Sequence, residues 1–139
     1  MRSHRFFDHT GDFGADLEAS SEAELFEASV DALVGLLVDD ATKIDERESR
    51  PIEARGVDGL DQLVALGNEV LYAFETGWLA RRVEVIALDV DTVTATAWGE
   101  AYDPARHVIA RPVKAVTHHG AAIDELDDDR WTGRLVFDL

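Results

Sequence analysis

The chain has 139 residues, contains no cysteine, and carries 29 acidic against 13 basic side chains, a formal net charge of −16. This length suits one domain with a substantial core, while the lack of cysteine excludes disulfides, thiolate zinc sites and a cysteine nucleophile. No apolar run approaches the ~20 residues of a membrane helix, no signal-peptide core follows the N-terminus, and the acidic balance disfavours direct nucleic-acid binding. We expect one cytoplasmic domain over residues 1–139, without membrane contact.

The basic residues are almost all arginine, since Lys43 and Lys114 are the only lysines. A surface rich in Asp and Glu and nearly free of Lys suits a high-salt cytoplasm. At about 1 M salt the screening length falls to ~3 Å, so repulsion between the acids no longer destabilises the compact state. We therefore predict a halophilic source, the alternative being an acidic protein from a low-salt cytoplasm.

Two amphipathic helices are predicted in the first half of the chain. The capping-box pattern Ser21-x-x-Glu24 precedes a segment whose apolar residues recur at spacings of three and four, as far as about Val38. Asp58 is the expected N-cap of the second helix, and Gly77 stands where a C′ glycine belongs.

Alternating apolar and polar residues predict strands before, between and after these helices. The predicted strands begin near Phe6 and continue with Ala15–Ala19, the edge strand Arg47–Arg55, Leu79–Leu88, Thr92–Ala101, Val113–His119, a strand starting at Ala121 after a turn at Gly120, and Trp131–Leu139. The order β-α-β-α followed by several strands predicts an α+β fold, with two helices covering one face of a mixed sheet.

The stretch from Asp8 to Gly14 concentrates acids, a histidine and glycines directly after the first apolar residues. Its Asp12-Phe13-Gly14 triplet matches the kinase magnesium motif, but the chain lacks a glycine-rich phosphate loop and a catalytic-loop motif. His9 beside an acid could act as a general base, whereas a simple strand-end turn is the alternative.

The C-terminal segment is apolar up to its last residue, so we expect it to be held in a sheet rather than frayed. A held terminus places the carboxylate of Leu139 next to the side chain of Asp138. A third donor from Asp12 would complete a site for Ca²⁺ or Mg²⁺, which prefer oxygen ligands. A contribution from His9 would instead favour Zn²⁺ or Mn²⁺.

His118 and His119 form an adjacent histidine pair, but neighbouring side chains on a strand point to opposite faces. At most one of them can therefore belong to a given site. Lys114, on the same predicted strand, stands out because lysine is so scarce, although an ordinary surface lysine is the alternative.

Four sequence blocks resemble the archease family. They follow the family's order along the whole chain: Asp8–Gly14 (D-H-T-[AG]-D-[IVF]-G), Trp98–His107 (containing G-E-x-[FY]-D-x-x-[KR]-H), Val113–Gly120 (V-K-A-[VI]-T-[YW]-H) and Val136–Leu139 ([VI]-F-D-[IL]). The departures are Gly11, where alanine is commoner, and His118, where an aromatic residue is usual.

The resemblance implies a protein cofactor of the RtcB-type tRNA-splicing ligase. Such a cofactor promotes guanylylation and multiple turnover of the ligase and broadens its nucleotide use, without catalysing bond formation itself. The family's metal ligands fall on Asp12, Asp138 and Leu139, with calcium as the usual ion.

The resemblance also implies an activating, partner-facing set of residues: Lys114, Glu100, His9, His107 and His119. We expect the ion and Lys114 to help position a nucleoside triphosphate or the ligase's own metal. Two alternatives remain open. One is a small metal-dependent hydrolase using His9 as base beside Asp12 and Asp138, and the other is an acidic structural domain whose ion only pins the C-terminus.

Overall fold

The computed structural model describes residues 1–9, 12–127 and 129–139, with only the backbone described at His9. Its elements in chain order are β1 (Arg2–His9), β2 (Asp12–Ala19), α1 (Glu22–Leu37), a 3₁₀ turn (Ala41–Lys43), β3 (Glu48–Arg55), α2 (Gly59–Glu75), β4 (Trp78–Leu88), β5 (Thr92–Ala101), β6 (Ala115–Asp127) and β7 (Arg130–Asp138). Neither α1 nor α2 is long and apolar enough to cross a membrane.

The strands form two sheets, one ordered β1-β2-β7-β6 and the other β3-β5-β4. Every pairing between these strands is antiparallel. The α+β class is confirmed, but two antiparallel sheets stand in place of the single mixed sheet that we expected. The alternation that marks a strand does not specify its neighbour, and short connections such as β1–β2 and β4–β5 favour antiparallel pairs.

Each helix contacts both sheets. Helix α1 lies against β1, β2 and β7 of the first sheet and β4 of the second, and α2 lies against β6 of the first and β3, β4 and β5 of the second. Burial on α1 accordingly extends beyond the predicted stripe to Ala28, Val30 and Val34. The helices therefore join two sheets rather than cover one face of one sheet, and the shared core lies around them.

The local signals for helix ends are confirmed. The Ser21 hydroxyl accepts the Glu24 N–H at 3.1 Å, and the Asp58 carboxylate accepts the Asp61 N–H at 2.8 Å. Gly77 has a φ of 97°, the left-handed conformation expected of a residue just beyond a helix. These signals located both helices closely because each depends on neighbouring residues only.

Strand β6 corrects one prediction, since two strands with a turn at Gly120 were expected where one strand runs through Ala115–Asp127. The pairing with β7 shifts register between Thr117 and Ala122, and Gly120 has a φ of 77° within this bulge. A left-handed glycine fits a bulge as well as a turn. Pairing with β7, which the local sequence does not encode, selects the bulge.

Helix α2 packs closely on β6 around Gly67 and Val116. A Cβ built on Gly67 would lie 2.7 Å from a Val116 methyl group, so a side chain there would push the helix away. The adjacent Asn68 donates to the Val116 carbonyl at 3.0 Å and accepts the Val116 N–H at 2.8 Å. The side-chain amide thus takes the place of a neighbouring strand at this edge of the sheet.

We expect the stability of the protein to rise with salt. Unrelieved repulsion is visible at Glu22, where partial burial first, and the nearby charge of Glu125 second, raise the pKa of the carboxyl group. Raising KCl from about 0.01 M to about 1 M shortens the screening length from ~30 Å to ~3 Å and removes most of this repulsion between exposed groups. The urea midpoint of unfolding, measured across that range, should increase.

The variant Glu125→Gln provides the matched comparison, because it removes one repelling charge and should show a weaker dependence on KCl. A protein fully folded at low salt, with an unchanged midpoint, would contradict the halophilic interpretation.

Candidate functional site

The N-terminal hairpin and the C-terminal strand meet at one end of the four-stranded sheet. Phe13 on β2 pairs with Phe137 on β7, so the next residues along the two strands are Asp12 and Asp138. Asp12 also pairs with His9 across the β1–β2 hairpin. The segment around Asp12 and the C-terminal strand therefore lie side by side, as the sequence analysis anticipated.

Asp12 and Asp138 belong to the same face of this sheet. Directly opposed residues on antiparallel strands share a face, and side chains alternate along each strand. Phe137 and Val116 are buried in the core, which places Asp12 and Asp138, one residue away from the Phe pair, on the opposite face. Asp138 is exposed and Asp12 is partly exposed.

The C-terminus is held by β6. Ala115 pairs with Asp138, and the Lys114 N–H donates to the Asp138 carbonyl at 2.8 Å. Leu139 follows directly, 38% exposed, so its carboxylate and Lys114 lie at the same sheet end. The Lys114 side chain is exposed and forms no ion pair with any residue that the structure describes.

Three carboxylates thus lie at this end: Asp12, Asp138 and the terminus at Leu139. Across residues 1–9, 12–127 and 129–139, no group of three or more His, Asp or Glu side chains is arranged to hold a metal ion. The predicted set differs from such a group, since its third member is a main-chain carboxylate. Its donors are all oxygen, which suits Ca²⁺ or Mg²⁺. The His9 side chain lies outside the described part.

A second charged cluster surrounds Glu100 on β5 of the other sheet, where the residue is 4% exposed. Its Oε1 accepts from Arg106 at 2.8 Å and pairs with Arg47 at 3.0 Å, while Oε2 accepts the Asp45 N–H at 2.7 Å and contacts His107 at 2.9 Å. The Arg106 hydrogen bond, helped by Asp45 and His107 and opposed by burial, lowers the pKa of Glu100 from 4.5 to about 2. The carboxylate is therefore an ionised anchor.

His107 is a structural part of this anchor. The Asp103 N–H donates to His107 Nδ1 at 2.9 Å, so the proton of the neutral ring is on Nε2, which donates to Glu100. Tyr102 stacks on the ring with centroids 6.0 Å apart. With His107 2% exposed, its nitrogens are both engaged within the protein.

The connection over residues 102–114 links the Glu100 cluster to the sheet end. Two backbone hydrogen bonds fasten it beside the end of α1: Asp39 N–H to Val108 O at 2.8 Å and Ala110 N–H to Leu37 O at 2.9 Å. Further on, the Arg111 guanidinium lies 4.7 Å from the centre of the Phe13 ring. The connection ends at Lys114, whose backbone N–H donates to the Asp138 carbonyl.

The predicted activating residues fall into two groups by exposure. Lys114 and His119 are exposed, whereas Glu100 and His107 are buried and therefore do not face a partner in this structure, contrary to our expectation for them. Glu100 is covered by Asp45, Arg106 and His107, which lie outside β5. The alternation of apolar and polar residues along the strand does not predict these contacts. Glu100 and His107 can influence the exposed site only through the connection that they hold.

The histidine pair lies in the β6 bulge. His118 Nε2 contacts an Asp61 carboxylate oxygen at 2.8 Å, and this hydrogen bond is the main cause of the lowered pKa of Asp61. The His119 N–H donates to the Thr117 hydroxyl at 3.1 Å. His118, the departure from the family pattern, thus contacts helix α2.

Sequence reasoning missed Arg47, Arg106 and Arg111. Arg106 stands six residues after Glu100, inside the quoted Trp98–His107 block, and an arginine so near a carboxylate could have been proposed as its partner. Arg47 and Arg111 reach their partners only through the tertiary fold, and no local pattern signals them.

Two antiparallel sheets joined by two helices, with the β1–β2 hairpin end and the C-terminus at one carboxylate-rich sheet end, define a small α+β domain. The model of the Archease protein family matches residues 4–139, and the chain belongs to that family. It is 32% identical over 143 aligned residues to the protein archease of Pyrococcus abyssi, with 100% of each chain covered.

Solved structures agree with this assignment. The solution structure of protein 1598 of Methanobacterium thermoautotrophicum matches with a TM-score of 0.78 and 26% identity, covering 98% of each chain. A crystal structure from Thermotoga maritima, described as an archease and possible chaperone, matches with a TM-score of 0.62 over 96% of this chain and 94% of that one. At 19% identity the latter supports the fold alone.

Proposed function

We propose that the protein is a non-catalytic activator of an RtcB-type tRNA-splicing ligase, promoting guanylylation of the ligase and its multiple turnover. The observation that carries this proposal is the meeting of Asp12, Asp138, Leu139 and Lys114 at one sheet end, in a chain of the archease family. These residues come from distant parts of the sequence and are brought to that end by the pairing of β7 with β2 and β6.

In this proposal Asp12, Asp138 and the Leu139 carboxylate hold a divalent ion, most suitably calcium. The support is chemical, because three oxygen donors with three negative charges match a hard cation. When bound, the ion supplies positive charge that the surrounding acidic surface lacks. Lys114 adds a mobile ammonium group beside it.

The partner is a basic, RNA-handling enzyme rather than RNA itself. A net charge of −16 repels a phosphate backbone but complements a positively charged protein surface. In concentrated salt this attraction is screened within a few ångströms, so affinity should depend on contact geometry more than on long-range steering.

Exposed Lys114 and His119 contact the ligase in this proposal, and His9 belongs to the same end through its pairing with Asp12. Glu100 and His107 contribute by fixing the connection that carries Lys114.

The proposal is tested by adding one glycine after Leu139. This moves the terminal carboxylate away from Asp138, so we expect weaker calcium binding and loss of multiple-turnover ligation, with the thermal midpoint nearly unchanged. The measurements are calcium titration calorimetry and a ligation assay with limiting ligase.

The control is Leu139→Val, which keeps the chain length and the position of the carboxylate and should activate normally. Full activation by the extended protein would contradict the role of the terminus. Phosphoesterase activity of the purified protein without ligase would instead support the hydrolase alternative.

A further inference from the structure

Arg111 occupies a defined position at the same sheet end as the candidate site, on the face that carries Phe13. Its guanidinium lies over the ring of Phe13, the residue that directly follows Asp12 on β2. A guanidinium stacked on an aromatic face keeps its N–H groups available at the rim of the ring, with little further loss of freedom on binding. Arg111 is also exposed to solvent.

The charge of Arg111 is not neutralised within the described protein, which distinguishes it from nearly all other arginines. Those with a carboxylate partner are Arg2, Arg5, Arg47, Arg50, Arg55, Arg82, Arg106, Arg130 and Arg134. Arg111 and Lys114 form no ion pair with the described residues, although acids greatly outnumber bases. Two cations without an ion pair among the described residues therefore lie three residues apart on an acidic molecule.

The short segment carrying these two cations is fastened at both ends. The Ala110 N–H donates to Leu37 O at 2.9 Å on one side, and the Lys114 N–H donates to Asp138 O at 2.8 Å on the other. Between them, the Val113 N–H donates to Arg111 O at 2.9 Å in a tight turn around Pro112. Both cations are therefore presented by a preorganised backbone.

We propose that Arg111 and Lys114 together bind a phosphate group, and that the ligand is a small phosphate compound such as a nucleoside triphosphate. A planar guanidinium donates two parallel hydrogen bonds to phosphate oxygens, and an ammonium adds a point charge. Nucleic acid is disfavoured because a long polyanion would meet the acidic surface. The inference rests on the proposed function, for which it names Arg111 as a further ligand-contacting residue.

The neighbouring carboxylates link phosphate binding to the ion. At this sheet end the carboxylates of Asp12, Asp138 and Leu139 outnumber Arg111 and Lys114. A bound divalent cation would add positive charge there, so phosphate should bind more tightly to the calcium-loaded protein than to the metal-free protein.

The test is calorimetric titration of the purified full chain with inorganic phosphate, and separately with ATP and GTP, with and without calcium. Each titration is corrected by a blank in which the ligand enters calcium alone. We expect binding in the calcium-loaded protein, weakened about tenfold or more in Arg111→Gln and in Lys114→Gln, since each removes charge-assisted hydrogen bonds. The matched control is Arg81→Gln, which removes an arginine that likewise has no ion pair with the described residues, but on β4.

Unchanged binding in the two site variants, equal weakening in the control, or no binding by the wild-type protein would each overturn the proposal. Phosphate and nucleotides binding alike would assign recognition to the phosphate alone, and tighter binding of the nucleotides would add a base or sugar contact. Because no ligase is present, failure here leaves the ligation assay to decide the proposed function independently.

Discussion

Replacing Asp138 with alanine is expected to abolish ligase activation while leaving the protein folded. Asp138 is exposed, so removing its carboxylate should change the free energy of unfolding by no more than ~0.5 kcal/mol. Groups that merely orient metal ligands contribute about 10–100-fold to affinity, so losing a ligand itself should weaken calcium binding by at least ~100-fold. Calcium titration, urea unfolding and a multiple-turnover ligation assay measure the three quantities.

The control is Asp124→Ala, which removes an exposed carboxylate from the same face of the four-stranded sheet but toward its other end. It should retain both calcium binding and activation. Normal activation by the Asp138 variant would contradict a role of this sheet end in activation. Loss of calcium with retained activation would leave the ion only the role of pinning the terminus.

Glu100→Gln is expected to be the most destabilising of these changes, by about 2–4 kcal/mol at pH 7. The substitution removes the charge that neutralises Arg106 and Arg47 and turns a hydrogen-bond donor toward the groups that donate to Glu100. Removing one partner of a fully buried ion pair typically costs about 3–5 kcal/mol, but here Arg106 and Arg47 are 37% and 68% exposed, so solvent screening and the retained amide oxygen should reduce the loss. Urea unfolding at fixed KCl measures the loss.

The same substitution should remove a specific pH dependence. The folded-state pKa of Glu100, about 2, lies below the ordinary value of 4.5. The stabilisation is therefore fully present above pH 4.5 and is lost as the pH falls toward 2. The difference in unfolding free energy between wild type and variant should shrink between pH 5 and pH 3. The exposed pair at Arg55 gives the control, Glu53→Gln, with an effect below about 1 kcal/mol. A constant difference across this range would contradict the assignment.

Calcium affinity should distinguish a defect in the Glu100 cluster from a defect in the carboxylates at the sheet end. Glu100→Gln leaves Asp12, Asp138 and Leu139 in place, so affinity for calcium should persist under conditions in which the variant is folded. Activation should nevertheless fall, because the connection that positions Lys114 has lost its anchor.

Local sequence determined some features of this fold, while tertiary pairing determined others. Ser21, Asp58 and Gly77 marked helix ends correctly because a cap involves only nearby backbone groups. Gly120 was misread as a turn because a left-handed glycine serves turns and bulges equally, and pairing with β7 decides between them. The division into two sheets could not be predicted either, because alternating residues identify a strand but not the strand that pairs with it.

The candidate site was partly accessible from the sequence for a related reason. The apolar residues before Asp138 and the abrupt acids after Phe7 indicated two strand ends, and the pairing of β2 with β7 brings the hairpin that follows Phe7 to the end of β7. The buried surroundings of Glu100 and the stacking of Arg111 on Phe13 depend on a connection that passes beside the end of α1. Nothing in the spacing of those residues encodes that path.

The two hydrogen bonds between the Asn68 side chain and the Val116 backbone limit self-association at this strand edge. Exposed strand edges invite pairing with other chains. At Val116 both the N–H and the carbonyl are already bonded to the helix side chain, so an incoming strand finds no free hydrogen-bonding group there. Helix α2 therefore blocks strand pairing at this position of the β6 edge.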